Sequence, residues 1–272
     1  MAGFSAEDAA SAILKFAEAL PGPYGYEASI KFIGAELFQH RFLITFPKIA
    51  MQHGADLHGL LRSLSFPQSS FSELERLLDE GDMLHLGFEQ EAQHFLCKLY
   101  VEDARKIREI WAADAASLPK QVRVHRALKW RSDSEQCIAT EYDWLPCCST
   151  DQLISCIQSL CEGVSASVLR QLLDVAAVEA PLEDLQLLRV SEPNSPRQSF
   201  DLNLYDAQLR VASVETLLPQ LFESGVPGLL SMEALNPIRD RLMGHIAAGV
   251  SRSGERFLTV YYGAEQRGSF AL

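Results

Sequence analysis

The 272-residue chain is short of positive charge: 24 Lys and Arg face 36 Asp and Glu, for a net charge of -12. A nucleic-acid partner calls for a basic stripe, so that class is excluded. An anionic small molecule is not, because local rather than total charge decides its binding. No apolar run reaches membrane-spanning length, and no membrane partner is expected. The opening MAGFSAEDAASAILKF places Glu7 and Asp8 where a signal peptide needs Lys or Arg, which points to a cytoplasmic protein. Six cysteines (Cys97, Cys137, Cys147, Cys148, Cys156 and Cys161) form no CxxC pair and have no histidine at metal spacing, so they read as reduced structural thiols. GxSxG, a P-loop, GxGxxG after a strand and HExxH are all missing, which removes the common hydrolase, nucleotide-binding and zinc-protease readings. DDxxD is missing too, and with it the helix-borne metal motif of terpene cyclases and isoprenyl chain-elongating enzymes. With 47% hydrophobic residues the chain has enough apolar material for a large core, and no segment reads as disordered.

What is there is alternation. From Tyr26 to Phe46, Ala28, Ile30, Phe32, Phe42, Ile44 and Phe46 share one face of a hairpin, while Glu27, Ser29, Lys31, Arg41, Leu43 and Thr45 share the other. Four more hairpins follow the same rule. Met83 to Val101 turns near Gln90 and Glu91 and sets His85, Gly87, Glu89, His94, Leu96, Lys98 and Tyr100 on the polar side. Val122 to Trp144 turns at Ser132-Asp133-Ser134, with Arg123, His125, Lys129 and Arg131 polar, then Ile138, Thr140 and Tyr142. Leu185 to Tyr205 turns through SEPNSPR, with Asp201, Asn203 and Tyr205 on that side. His245 to Gly263 turns at Ser253-Gly254-Glu255, with Gly249, Ser251, Thr259 and Tyr261.

Helical spacing fills the gaps between hairpins: Ser5 to Leu20, Ala50 to Leu64, Ser70 to Asp79 with a capping box from Ser70 and Glu73, Asp103 to Ala116, Thr150 to Leu160, Ser165 to Ala177, Val214 to Phe222 and Ser231 to Met243. Ten antiparallel strands with one apolar face either stay an open α+β sheet or close on themselves. The apolar parity is the one the amphipathic helices must cover, so the predicted fold is a closed barrel ringed by α-helices, with a wide polar interior. That makes residues 1–272 a single domain, expected as a monomer.

The run Glu27-Ala28-Ser29-Ile30-Lys31, with Arg41-Phe42-Leu43 ten residues after the lysine, resembles the first hairpin of the cyanobactin peptide prenyltransferases, RiPP-modifying members of the ABBA prenyltransferase family. The ten-strand order is similar across nearly the whole chain. The resemblance implies transfer of an isoprenyl group from an allylic diphosphate, dimethylallyl or geranyl, to a nucleophilic side chain of a peptide. It implies Glu27 as the catalytic glutamate, tyrosines shielding the allyl cation, and magnesium assisting; without Asp-rich motifs, Mg2+ would be held mainly by the diphosphate.

The residues support that chemistry independently. A diphosphate leaving group needs several fixed cations, and inward parity supplies Lys31, Arg41, Lys98, Lys129 and one of Arg123 or Arg131, here Arg131. Tyr100, Tyr142, Tyr205 and Tyr261 present aromatic faces able to stabilise a carbocation. Glu27 can take the acceptor's proton, or pair with Lys31 or Arg41 as a salt bridge. Glu89 and Asp201 are further acceptor-site candidates; beside Glu27 they would favour a cationic acceptor such as arginine. Gly87 and Gly249 leave room under a longer prenyl tail, or bend the barrel. His85, His94 and His125 point inward without metal-motif spacing, and no protein-held metal is expected. Two other readings share the barrel: an aromatic prenyltransferase for small molecules, and a carrier that binds a phosphate-bearing ligand or peptide without turnover.

Overall fold

Alternating stretches become strands in the computed structural model, which describes residues 4–34, 36–53, 55–112, 119–193, 195, 197–223 and 232–268. Helix α1 (Ala6–Glu18) starts at Ser5, whose hydroxyl accepts from the Asp8 N–H at 3.1 Å while the Asp8 carboxylate accepts from the Ser5 N–H at 3.2 Å. Then come β1 (Tyr24–Ile33), the short β2 (Glu36–Phe38) and β3 (Arg41–Pro47). Helices α2 (Leu57–Ser63) and α3 (Phe71–Leu78) lead to β4 (Met83–Gln90) and β5 (Phe95–Glu102), and α4 (Ala104–Trp111) leads to β6 (Val122–Arg131) and β7 (Cys137–Trp144). Helices α5 (Thr150–Leu160) and α6 (Ala166–Ala176) precede β8 (Leu187–Ser191) and β9 (Gln198–Asn203). Tight 3-10 turns and α7 (Met232–Leu235) then precede β10 (Met243–Val250) and β11 (Arg256–Arg267).

Each strand from β3 onward pairs antiparallel with the next, β1 pairs with β3, and β11 returns to β1, with Ser29 opposite Tyr261 and Lys31 opposite Thr259. The result is a closed ten-stranded barrel without a free edge. β2 folds back on the tip of β1, so the first hairpin is longer than a simple turn. This topology puts the five hairpin turns at one end of the barrel, the turn end, and the helical crossovers at the other, the crossover end.

Apolar packing lies outside the barrel, between sheet and helices. Ile44, Phe46, Leu84, Leu86, Cys97 and Leu99 pack with Ile13, Leu61, Leu64 and Leu74 from the first three helices. Leu187, Phe200, Leu202, Ile246 and Leu258 pack with Leu153, Ile157, Leu169 and Leu172 from α5 and α6. Inside, the buried residues are polar: Glu27, Ser29, Arg41, Glu89, Lys129, Asp201 and Thr259.

The helices depart from the pattern in several places: the stretch expected from Ala50 begins as a 3-10 helix over Lys48–His53 and is α-helical only in α2, and the one expected to reach Met243 is α-helical only over Met232–Leu235, with a 3-10 turn over Asn236–Ile238 before β10. Ser70 makes no side-chain cap, because a 3-10 turn over Gln68–Ser70 enters α3 and leaves Ser70 in a helical conformation. Residues 214–222 hold turns and one short 3-10 helix, Leu218–Gln220, rather than an α-helix. The ends of the helices expected to include 113–116 and 231 lie outside the described residues.

Trp130 ties β6 to the helical layer: its indole donates to the Leu64 carbonyl at 2.8 Å, and its ring meets Phe66 edge-on at 4.9 Å. Trp130→Ala should cost about 3–5 kcal/mol, read as a lower urea midpoint at an unchanged slope.

Candidate active site

Inward side chains divide the barrel into two chambers. The turn-end chamber, about 440 Å³, is lined by Lys31, Arg41, Glu89, Lys98, Lys129, Arg197 and Arg252 among others. The crossover-end chamber, about 480 Å³, is lined by His85, Glu102, His125, Tyr205 and His245 with Leu43, Ile107 and Leu188. Tyr100, Tyr142, Tyr261 and Asp201 line both and form the waist between them.

Six basic side chains crowd two carboxylates at the turn end. Glu89 contacts Lys98 at 3.0 Å, Lys31 at 3.1 Å and Arg41 at 3.2 Å. Glu192 contacts Arg252 at 2.5 Å, Arg197 at 2.7 Å and Lys129 at 3.7 Å. Burial alone would raise Glu89, but Arg41, Lys98 and Lys31 hold it well below the usual carboxylate range. Against the same burial, Arg252, Lys129 and Arg197 hold Glu192 down to about 2. The cations feel the crowding in reverse. Burial, with repulsion from Arg41 and Lys31, pushes Lys98 down to about 8 despite Glu89, and burial plus Arg197 and Lys98 push Lys129 well below its normal value. Arg41 is buried, and its Nε and Nη1 have no hydrogen-bond partner among the described residues.

At the waist the Tyr100 and Tyr142 rings lie 5.6 Å apart, and Tyr261 stacks on His245 at 3.6 Å and 13°. Burial raises all three tyrosine hydroxyls, so they stay protonated. Below the waist, Glu27 Oε2 accepts from the Tyr205 hydroxyl at 2.7 Å and lies 3.3 Å from His245 Nε2, while His245 Nδ1 is 2.7 Å from Asp201. Burial would lower His245, but Asp201 and Glu27 together raise it to about 10, which makes it an imidazolium at neutral pH. Glu27 Oε1 is buried without a partner among the described residues, and a Cβ at Gly244 would lie 2.0 Å from it. His85, Glu102 and His125 form a further cluster on the chamber wall. There burial would raise Glu102, but His125 and His85 hold it at about 2, and burial pushes His125 to about 4.

Several expected positions change. Glu89 is not near Glu27; it is the counter-ion of three turn-end cations, because its β4 register sets it opposite Arg41. Asp201 is near Glu27, across His245. Tyr205 leaves the waist because β9 ends at Asn203 and the following 3-10 turn directs its hydroxyl to Glu27. Arg131 sits at the rim, 44% exposed, paired with Asp133 at 3.0 Å and Glu91 at 3.2 Å. Arg123 pairs with Asp143 and Glu141 beyond a bulge in β6. Gly87 and Gly249 open no pocket: an added Cβ would meet Lys98 Cβ at 3.3 Å and the Gln198 carbonyl at 2.2 Å, respectively. His94 is at the rim, 3.3 Å from Asp133, so the inward cluster is His85 and His125 with Glu102 rather than three histidines.

No protein-family model matches the sequence, and no curated protein matches it. Solved structures do. The chain is similar to 6-dimethylallyltryptophan synthase from Micromonospora olivasterospora, in complex with DMASPP and Trp, over 96% of this chain and 98% of that one, at 14% identity and TM-score 0.55. A second 6-dimethylallyl tryptophan synthase covers 96% of this chain and 97% of its own, at 14% identity and TM-score 0.54. NotF, in complex with brevianamide F and DMSPP, covers 88% and 79% at 15% identity and TM-score 0.52. The fold is that of the ABBA prenyltransferases.

Within this ABBA barrel, strand alternation could have reached two of the unforeseen residues. His245 shares parity with Gly249, and Glu102 lies one step past Tyr100 on the same face. Glu192, Arg197 and Arg252 sit on hairpin turns, where alternation stops. Gly244 carries no side-chain signal.

The His245 proton links the site to stability. Its folded pKa of about 10 exceeds the ordinary 6.5, so its contribution is fully present below about pH 6.5 and is lost as pH rises through about 10. Unfolding free energy should therefore fall across that window, and His245→Gln should flatten the fall in urea titrations at pH 6.5, 8 and 9.5.

Proposed function

We propose that the protein is a prenyltransferase that moves an isoprenyl group from an allylic diphosphate, dimethylallyl or geranyl, to a nucleophilic side chain of a peptide. The observation that carries this reading is a chamber with surplus cations joined through neutral tyrosines to a chamber lined by Tyr205 and His245, the two partners of the buried Glu27 carboxylate. The unpaired donors of Arg41, with Lys31, Lys98, Lys129, Arg197 and Arg252, suit a diphosphate, and its negative charge restores the charge that Lys98 and Lys129 lose to crowding.

In the proposed reaction the donor's C–O bond breaks and the diphosphate keeps the electron pair. The allyl cation lies at the waist, where aromatic faces stabilise it by roughly 0.5–2 kcal/mol per ring and protonated hydroxyls do not trap it. The acceptor heteroatom or ring carbon, in the crossover-end chamber, forms the new bond, and Glu27 takes the released proton. Tyr205 and His245, which line that chamber, fix the Glu27 carboxylate through its Oε2.

Magnesium fits this chamber only as a passenger on the diphosphate, because Glu89, Glu91 and Glu192 are all engaged by cations among the described residues. When bound, it would neutralise part of the leaving group's charge. We place the enzyme in the cytoplasm, where its six free cysteines stay reduced; none of the described helices is long and apolar enough to cross a membrane.

A small aromatic acceptor is the second reading, favoured by solved structures of the same fold that hold Trp or brevianamide F. The deciding experiment supplies both donors, short peptides containing Tyr, Trp, Ser, Thr, His or Arg, and free tryptophan, and reads product masses. A gain of one isoprene or monoterpene unit on a peptide supports the proposal, and a gain on tryptophan alone supports the second reading. Donor bound and returned intact on every acceptor would make the protein a carrier.

Glu27→Gln should lower turnover by about 10²–10⁴-fold with donor-analogue affinity unchanged. Arg41→Ala should weaken that affinity by about 10- to 150-fold, the loss of one charge-assisted contact. Affinity for inorganic diphosphate should fall as pH rises through about 8, where Lys98 gives up its proton, and calorimetry should still detect binding in EDTA.

A further inference from the structure

We propose that His85, Glu102 and His125 form a binding site for one zinc ion in the wall of the crossover-end chamber. His85 Nε2 is 2.8 Å and His125 Nδ1 3.3 Å from Glu102 Oε2, and the three ligand atoms all lie within 4.8 Å of one another. Ligands about 2.0–2.2 Å from a tetrahedral zinc stand roughly 3.3–3.5 Å apart, so small side-chain shifts suffice. Two imidazoles and a carboxylate favour zinc over magnesium or calcium, which take oxygen donors.

Two further observations single this cluster out. Thr45 Oγ1 is 2.8 Å from His85 Nδ1, the outer partner that orients a ligating ring and fixes its tautomer. The charge balance also differs from that of the other inward carboxylates. Glu89 and Glu192 each contact three basic side chains, and Glu27 and Asp201 share the His245 imidazolium. Glu102 contacts two imidazoles and, among the described residues, no Lys or Arg within ion-pair distance. A dication there would answer its charge.

The three residues are mostly but not fully buried, at 14%, 17% and 16% exposure, and all line the same chamber, which gives an ion its path. A fourth ligand would come from that chamber, which all three residues line. Only the identity of the fourth ligand, an acceptor heteroatom or water, rests on the prenyl-transfer reading; the site itself does not.

The test uses the full chain stripped with EDTA and dialysed, titrated with Zn2+ by calorimetry and with Co2+ by visible absorption. One equivalent should bind, with the intense d–d bands of four-coordinate cobalt. Thr45→Val should weaken binding about 10- to 100-fold, and His85→Ala with His125→Ala should abolish it, with circular dichroism reporting the fold. X-ray absorption of the zinc-loaded wild type reads the ligands without any variant: nitrogen and oxygen neighbours with imidazole scattering support the site, and a sulfur shell assigns the metal to the cysteines and overturns it. Failure of the wild type to bind a stoichiometric ion also overturns it. Prenyl transfer lost or retained does not enter these readouts, so the two proposals fail separately.

Discussion

A barrel that turns its polar face inward must answer each charge it buries, and that constraint organises this protein. Isolated ions in such an interior cost several kcal/mol each. The turn end meets the constraint with six basic side chains around Glu89 and Glu192, and the answer is incomplete: the arrangement still lacks negative charge. The crossover end meets it with Glu27 and Asp201 clasping one imidazolium. Opposite imbalances thus sit on either side of the three waist tyrosines, with Asp201 beside them paired to the imidazolium.

Much of this was legible because period-two alternation is simple physics. A side chain on one pleat of a closed sheet has only two directions, and the helices can cover only the apolar one. Lys31, Arg41, Lys98 and Lys129 followed from that rule, as did Tyr100, Tyr142 and Tyr261. The rule says which face, and nothing about which height along the barrel axis. Glu89 and Glu27 share a face, yet strand register puts Glu89 in the turn-end chamber and Glu27 beside Tyr205 and His245.

The rule also fails where a strand ends or bulges. Bulges lie between Arg123 and His125, between Met243 and Ile246, and between Tyr26 and Ala28, and each shifts the inward series by a residue. Arg123 is displaced by the first. Tyr205 falls past the end of β9 and reaches Glu27 by a turn that no alternation encodes. The arginines of the hairpin loops, Arg197 and Arg252, complete the cation set from positions without periodicity, so alternation could not show that these two close the chamber.

The separation of hairpin turns from helical crossovers bears on how such a barrel diversifies. Two of the six cations, Arg197 and Arg252, sit on hairpin turns, and changing the length of those turns would move them against Glu192. The crossovers at the opposite mouth are long, independent insertions, each anchored at its own pair of strands. Apart from residues such as Tyr205, which reaches Glu27, they stand outside the ladder registers that hold the charges. One mouth is therefore a socket fixed by strand register and the other a modular rim, so exchanging crossovers between barrels of this architecture would reshape one mouth and leave the other in place.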